Sequence, residues 1–195
     1  MVRIAKTSDT LSISNIHYTQ LNYEFLSKLG KGFLYYLYNV FIQNKEIITL
    51  VYEDKGEVLG FLSGAKNFDK SFKTIILNNF FKLLLQSIIG IIRHPKLLKN
   101  AVETVFYINK QPNLKTKAEL ISIAVNNKYH RKGIGKRLIF EFEKILISQK
   151  VPFYKVSVNK NNGKANSFYK SLGFEKGGEY LLYGKKINLY LKKIS

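Results

Sequence analysis

The sequence contains no cysteine, no tryptophan, and only three prolines in 195 residues. Without cysteine the chain cannot build a disulfide scaffold, a thiolate metal site or a cysteine nucleophile. Its three histidines are isolated from one another, so we expect no metal site. No apolar stretch follows the first ten residues as it would in a secretory signal, and we therefore expect a cytoplasmic protein.

Acidic residues are also scarce, 13 against 32 Lys plus Arg, which gives a formal net charge of +19. A field of this size would favour nucleic acid, phosphorylated ligands or an anionic membrane. The lysines are nevertheless scattered, and the abundance of Lys, Asn and Ile matches what A/T-rich coding produces in any protein. Charge alone therefore decides little, and because no aromatic-basic motif accompanies the scattered lysines we expect no nucleic-acid partner.

The length corresponds to one domain, at about 100–200 residues per domain, and the hydrophobic pattern alternates between strand and helix periods. We predict one α/β domain over residues 1–195, with a tight hairpin turn at Asp54–Gly56 and a helical, insertion-like segment over 68–117 that packs on the core or covers a site. The predicted strands are 2–5, 47–53, 57–64, 118–125, 153–158, 174–183 and 186–192. The predicted helices are two within 13–41 that meet near Gly30, then 72–92, 96–108, 133–149 and 162–172.

The stretch 72–92 is the most apolar in the chain, yet Asn78, Lys82 and Gln86 recur every four residues along one side of a helix. A bilayer span needs about 20 nearly uncharged residues. We therefore predict an amphipathic helix and no transmembrane segment. An interfacial helix of a peripheral membrane protein stays open as an alternative.

A phosphate site is predicted at Gly133–Gly135, where a strand and a polar loop lead into a helix. Glycines there let a ligand approach the backbone, and the first N–H groups of the helix point outward with the positive end of its dipole. The Walker pattern is absent, and GxGxxG fails because residue 138 is Leu. The surrounding side-chain donors are His130, Arg131, Lys132 and Lys136.

The segment YHRKGIGKRL, residues 129–138, followed by NGKANSFYKSLGF, residues 162–174, resembles the GNAT family of acetyl-CoA-dependent N-acetyltransferases. The family signature is Q/R-x-x-G-x-G/A after the fourth strand and N-x-x-A-x-x-F-Y-x-x-x-G-F in the next βα unit. The match departs where the first Gln or Arg is His130 in this chain. The resemblance implies an α/β fold with a central mixed, mostly antiparallel sheet that is splayed between two parallel strands. It also implies helices on both faces, and an acetyl-CoA-binding core over 118–174.

The same resemblance assigns residues to the coenzyme. The pyrophosphate of acetyl-CoA would bind the backbone of Gly133, Ile134 and Gly135 with the donors named above. The pantetheine arm would pair with the backbone of Ile123, Ala124 and Val125. Asn162 and Ala165 would flank the arm, and the Tyr169 hydroxyl would reach the sulfur.

The chemistry follows from ordinary pKa values. An amine with a pKa of about 10 must lose a proton before it attacks a thioester. The departing thiolate, whose thiol has a pKa of about 8.5, takes one back. Tyr169 is our candidate acid. Glu119 is our candidate base, directly or through water, and we expect it to share a face of its strand with Ile121, Ile123 and Val125. The alternatives are a core tyrosine and a solvated carboxylate. A backbone N–H of Ala124 or Val125 could polarise the thioester carbonyl.

The sequence therefore predicts transfer of an acetyl group from acetyl-CoA to a primary amine of a small-molecule acceptor. An amino sugar is one candidate, because FLSKLGKGFLYYLY, residues 25–38, resembles a stretch in bacterial GNAT proteins of surface-sugar gene clusters. Peptide N-termini, lysine side chains and polyamines stay open. The alternatives are an acetyl-CoA-binding protein without transferase activity, or a basic protein that binds nucleic acid or a membrane surface. A homodimer is compatible with the sequence.

Overall fold

The computed structural model describes residues 1–106, 111–112, 114 and 116–194. Its strands are β1 Val2–Ile4, β2 Ile47–Asp54, β3 Glu57–Ala65, β4 Glu119–Val125, β5 Phe153–Asn159, β6 Glu175–Leu182 and β7 Lys185–Lys193. They form one sheet in the order β1-β2-β3-β4-β5-β7-β6. Neighbours are antiparallel except β4 and β5, which are parallel. The predicted mixed, mostly antiparallel sheet is therefore confirmed.

Seven α-helices lie within the described residues: α1 Thr10–Gln20, α2 Phe25–Lys28, α3 Lys31–Gln43, α4 Phe68–Arg93, α5 Leu97–Val105, α6 Ile134–Ser148 and α7 Gly163–Ser171. The break near Gly30, with a φ of 107°, is where we expected it. The first predicted helix divides once more, because the chain turns after Leu21, whose carbonyl accepts a bond from the Ser27 hydroxyl at 2.7 Å. The last two residues of the predicted 96–108 helix lie outside the described residues.

The tight turn between β2 and β3 forms as predicted. Lys55 and Gly56 have φ values of 48° and 81°. Two successive positive φ angles are typical of the hairpin turn whose twist matches that of the strands. Glycine adopts the second of these angles without the steric penalty that a Cβ would cause.

Helices cover both faces of the sheet. The front face carries α1 to α5, and its core includes Ile13, Leu34, Tyr38 and Phe61. The back face carries α6 and α7, and its core is built from Leu62, Leu120, Leu138, Phe142 and Tyr154. The predicted helices on both faces are confirmed, and the aromatic stretch within α3 is largely core.

The sheet opens between its two parallel strands. β4 and β5 pair only at Glu119 with Lys155 and at Leu120 with Val156. Beyond this point β4 continues against β3 and β5 continues against β7, up to Val125 and Asn159. The two strands therefore separate beyond Val156, in agreement with the expected splay between two parallel strands, and within the part of the chain that the structure describes no strand pairs with this edge of β4.

The helix α4 packs on the front-face core by one side only. A Cβ added at Gly90 would lie 2.6 Å from the Leu29 Cα, so the backbones of α4 and the α2 end are in contact. By length and composition α4 is the one described helix that could cross a membrane. Only 22% of its most apolar window is buried in the domain.

Candidate active site

A β-bulge at Ile121 determines where the β4 side chains point. Ser63 pairs with Ser122 and Gly64 with Leu120, so Ile121 is the extra residue. The bulge reverses the alternation of side chains. Ala124 consequently packs in the front core, whereas Ile123 and Val125 pack on the back core.

Glu119 lies on the front face, with Lys155 and Ser157 of β5. The alternate residues of β5, Tyr154 and Val156, belong to the back core. Our expectation that Glu119 shares a face with Ile121, Ile123 and Val125 holds only for Ile121, which packs on the front core, and is wrong for Ile123 and Val125 because of the bulge.

The unpaired edge of β4 presents backbone groups to the opening. The Asn126 N–H donates to the Leu59 carbonyl at 2.8 Å. Bonded and non-bonded pairs alternate in an antiparallel ladder, so Ala124 directs its N–H and C=O toward β3, while Ile123 and Val125 direct theirs into the opening. The Val125 carbonyl accepts a bond from His130 Nε2 at 2.8 Å. The opening is left with an edge that can pair with an extended, amide-bearing chain.

The first turn of α6 forms a cradle at one end of this edge. Gly133 stands before the helix with a φ of 76°, and the first helical bond runs from the Arg137 N–H to the Gly133 carbonyl at 3.0 Å. The N–H groups of Ile134, Gly135 and Lys136 therefore have no partner inside the helix and point along its axis. With the helix dipole behind them, they suit a phosphate group.

Gly135 has a packing role as well. A Cβ at this position would lie 3.2 Å from Phe168 Cζ, so the glycine lets α6 approach α7 closely. Ile134 is buried in the back core and offers only its backbone to a ligand.

Cations surround the start of α6. The side chains of His130, Arg131, Lys132 and Lys136 are all exposed there. A depression of about 480 Å³ beside the helix start is lined partly by Lys132, Lys136, Arg137 and Tyr52. Of the four sequence-predicted side-chain donors, Lys132 and Lys136 line this depression, while the His130 ring is bonded to the Val125 carbonyl.

The start of α7 is fixed by two asparagines. Asn162 Oδ1 accepts a bond from the Ala165 N–H at 3.1 Å and so caps the helix. Asn166 is buried and donates to the carbonyls of Asn159 and Asn162 at 2.9 and 2.7 Å. Sequence analysis missed Asn166, although it lies inside the motif that identified Asn162 and Ala165.

Tyr169 packs on the back face at the row where the sheet opens. Its ring lies 5.1 Å from that of Phe174 and 6.5 Å from that of Tyr190, and Tyr190 pairs with Val156, the last β5 residue paired to β4. Burial raises the pKa of the Tyr169 hydroxyl above its ordinary value. The hydroxyl therefore keeps its proton at neutral pH.

Glu119 is only 2% exposed, so it is no solvated carboxylate. Gln111 Nε2 lies 3.2 Å from both carboxylate oxygens, and Lys155 Nζ lies 3.7 Å from Oε2. The Ser157 hydroxyl donates to Oε1 at 3.4 Å and accepts from the Tyr180 hydroxyl at 2.8 Å. A chain of hydroxyl groups thus leads to the carboxylate from β5 and β6.

A second buried polar group on the front face escaped sequence analysis. The Tyr38 hydroxyl lies 2.6 Å from His17 Nδ1 and 3.0 Å from Ser122 Oγ. Burial lowers the pKa of His17 to about 4, so the ring is neutral at pH 7. These residues come from α1, α3 and β4, and no local motif connects them.

The two groups of site residues lie on opposite sides of the opening. The cradle and Tyr169 belong to the back face, whereas Glu119 and its partners belong to the front face. Among the described residues, no three His, Asp or Glu side chains lie together as a metal site would require. The arrangement suits transfer between two molecules that enter from opposite faces.

A family model described as "Acetyltransferase (GNAT) family" matches residues 17–174. No curated protein sequence gives a significant match. Among solved structures, the ribosomal-protein-S18-alanine N-acetyltransferase from Escherichia coli is 14% identical with a TM-score of 0.64, covering 100% of this chain and 94% of that chain. An N-acetyltransferase from Staphylococcus aureus Mu50 is 15% identical with a TM-score of 0.63, covering 100% and 98%. Aminoglycoside 6'-acetyltransferase type Ii is 14% identical with a TM-score of 0.62, covering 100% and 97%. At these identities the likeness is one of fold.

Proposed function

The chain belongs to the GNAT family of acetyltransferases, and we propose that it transfers an acetyl group from acetyl-CoA to a primary amine of a small-molecule acceptor. The observation that carries the proposal is the edge of β4 that no described strand pairs beyond Leu120, which ends at a helix start whose first N–H groups have no partner inside the helix. An extended amide chain that ends in phosphates fits such a site. Acetyl-CoA has this form and supplies the acetyl group as a thioester.

The back-face residues would hold the coenzyme. The N–H groups of Ile134, Gly135 and Lys136 would bind the pyrophosphate, with Arg131 and Lys132 as further donors. His130 Nε2 is hydrogen-bonded to the Val125 carbonyl and so fixes the loop next to the cradle. Ile123 and the Val125 N–H would pair with the pantetheine arm, while Ala124, Asn162 and Ala165 would shape its walls.

Tyr169 would act as the acid. Its hydroxyl would give its proton to the departing sulfur and regain one from solvent, which requires a group that is still protonated at the working pH. Burial, which raises its pKa, meets this requirement. Of the two backbone N–H groups considered for the thioester carbonyl, that of Ala124 is directed toward β3 and is excluded, and that of Val125 would be taken by the pantetheine arm.

Glu119 would act as the base through a relay. Its 2% exposure leaves no room for direct contact with an acceptor amine. The amine proton would therefore pass to the Ser157 hydroxyl while the Ser157 proton passes to Glu119. The amine nitrogen forms its bond to the acetyl carbon as the carbon–sulfur bond breaks. The sulfur keeps the bonding electron pair and takes the proton from Tyr169.

The acceptor would enter from the front face. Gln111 and Ser157 are partly exposed there, and their amide and hydroxyl groups are the kinds of partner that sugar hydroxyls bind. The described part of the insertion contributes Gln111 directly and packs Leu114 over Gly177, where an added Cβ would lie 3.2 Å from Leu114 Cδ1. We therefore propose an amino sugar as the acceptor class, with the 68–117 segment forming part of its pocket. A strongly basic protein disfavours polyamines, which are cations.

A thiol-release screen over amine classes tests the proposal. Purified protein is incubated with acetyl-CoA and with amino sugars, peptide amines, lysine or polyamines, and free coenzyme A thiol is measured against a Tyr169→Phe control. We expect release that depends on an amino sugar and is nearly lost in the control. Tight acetyl-CoA binding without release for any amine would instead favour a coenzyme-binding protein without transferase activity.

A further inference from the structure

One side of α4 is apolar and faces solvent. The most exposed residues there are Phe81 at 82%, Leu77 at 79% and Ile92 at 73%. They recur with Leu84, Leu85 and Ile88 at three- and four-residue intervals and therefore form one stripe along the helix. At 1.5 Å per residue the stripe is about 22 Å long. We call these six residues the apolar face.

The apolar face cannot turn inward. The opposite side of α4 is packed through Ile75, Leu83 and Gly90, and at Gly90 the helix touches the Leu29 backbone. Contiguous apolar surface of this extent is rare on soluble monomers and marks an interaction site. The α5 helix, which packs on α4, also exposes Leu98 and Val102, each 55% exposed.

Positive charges stand at both ends of the apolar face. Lys70 and Lys73 precede it, and Arg93, Lys96 and Lys99 follow it, all exposed. The two acidic residues within 68–106, Asp69 and Glu103, are only partly exposed. An apolar stripe between cations is the pattern of a helix that lies in a membrane interface, with lysines on anionic headgroups.

We propose that the apolar face docks the protein on an anionic membrane surface. The net charge of +19 would steer the whole chain toward such a surface. A second copy of the chain fits less well, because any face-to-face pairing of α4 helices would bring exposed cations together. A bilayer span is disfavoured because α4 is held to the domain along its other side.

Vesicle flotation tests the proposal with the full chain and without acetyl-CoA. The vesicles contain equal parts of phosphatidylglycerol and phosphatidylcholine, or phosphatidylcholine alone. The test variant carries Phe81→Ser and Leu85→Ser, and the matched control carries Leu11→Ser and Leu181→Ser, which replace residues 61% and 59% exposed on other elements. Circular dichroism and thermal unfolding verify that all variants are folded.

We expect the wild type and the control to bind anionic vesicles equally, and the test variant to bind at least tenfold more weakly. Lys73→Gln with Lys96→Gln should also weaken binding severalfold, and phosphatidylcholine alone should retain little protein. Equal binding of test variant and control would overturn the proposal, as would no binding by the wild type. A dimer that the test variant dissociates, without vesicle binding, would assign the face to a second copy. None of these outcomes bears on acetyl transfer, because docking is measured without turnover.

Discussion

Replacing Tyr169 with phenylalanine removes one oxygen atom from a ring that is otherwise closely packed. The ring lies against Phe174 and Tyr190, which the substitution leaves untouched. Burial is the sole cause of the raised pKa of its hydroxyl, and no hydrogen bond to a described residue contributes. Tyr169→Phe should therefore leave no buried partner unsatisfied and change the free energy of unfolding by less than about 0.5 kcal/mol.

Catalysis should respond very differently. A positioned general acid contributes about 10²-fold or more, so kcat should fall about 100-fold, equivalent to about 2.7 kcal/mol at about 1.36 kcal/mol per tenfold. Acetyl-CoA affinity should be almost unchanged. The basic limb of the wild-type pH profile should not come from Tyr169, because its raised pKa keeps the hydroxyl protonated throughout the ordinary assay range.

Tyr190→Phe is the matched control. Its hydroxyl donates to Asn166 Oδ1 at 2.9 Å, so this variant loses one buried hydrogen bond. That loss should cost about 1 kcal/mol and lower Tm by about 2–4 °C with kcat unaltered. Steady-state thiol release and thermal unfolding of both variants provide the comparison. The reasoning is refuted if Tyr169→Phe keeps kcat within about twofold of wild type, or if both variants lose activity in proportion to stability.

Three further predictions concern other parts of the molecule. Glu119→Gln should flatten the acidic limb of the kcat/KM pH profile. Ser157→Ala should lower kcat/KM on that limb about tenfold while leaving acetyl-CoA affinity intact. An unaltered acidic limb in both variants would contradict the proposed relay. Burial lowers the pKa of His17 to about 4, so unfolding takes up a proton between about pH 6.5 and 4, and stability is complete above this window and falls as the pH drops through it. Urea unfolding should show His17→Gln losing about 2 kcal/mol less than wild type between pH 7 and 5, and equal losses would contradict this. Gly90→Ala should cost about 1–3 kcal/mol because its Cβ would lie 2.6 Å from a neighbouring backbone, whereas Gly163→Ala, with nothing within 4 Å, should cost nothing.

The positions of the strands along the chain and the helix start at the cradle could be predicted because each leaves a local pattern, whereas the mixed sheet and its opening were expected from the family resemblance. Gly133 stands between a strand and a helix in sequence as it does in space. The turn at Gly56 was equally readable, since positive φ angles in a two-residue hairpin favour glycine.

Features that depend on contacts between distant segments could not be predicted. The bulge at Ile121 changes the register of β4 against β3 without altering the apolar pattern, so it moved Glu119 to the other face from Ile123. The pairing of Glu119 with Lys155 depends on two parallel strands that are far apart in the chain.

The orientation of α4 shows the same limit. Asn78, Lys82 and Gln86 lie on one exposed side as predicted. An amphipathic pattern does not say which of the remaining sides meets the core. Contact at Gly90 decides this, and it leaves a second apolar side in solvent.

The central claim is that acetyl-CoA binds at the α6 cradle and along the β4 edge, and calorimetry on charge-reversed variants tests it most directly. Arg131→Glu with Lys136→Glu places two carboxylates at the cradle, while Lys70→Glu with Lys73→Glu makes the same change in net charge on α4. Acetyl-CoA should bind the wild type and the α4 variant with similar affinity and the cradle variant at least tenfold more weakly, a difference of about 1.4 kcal/mol or more. Equal weakening in both variants would mean that only the overall charge attracts the coenzyme, and the claim would be contradicted.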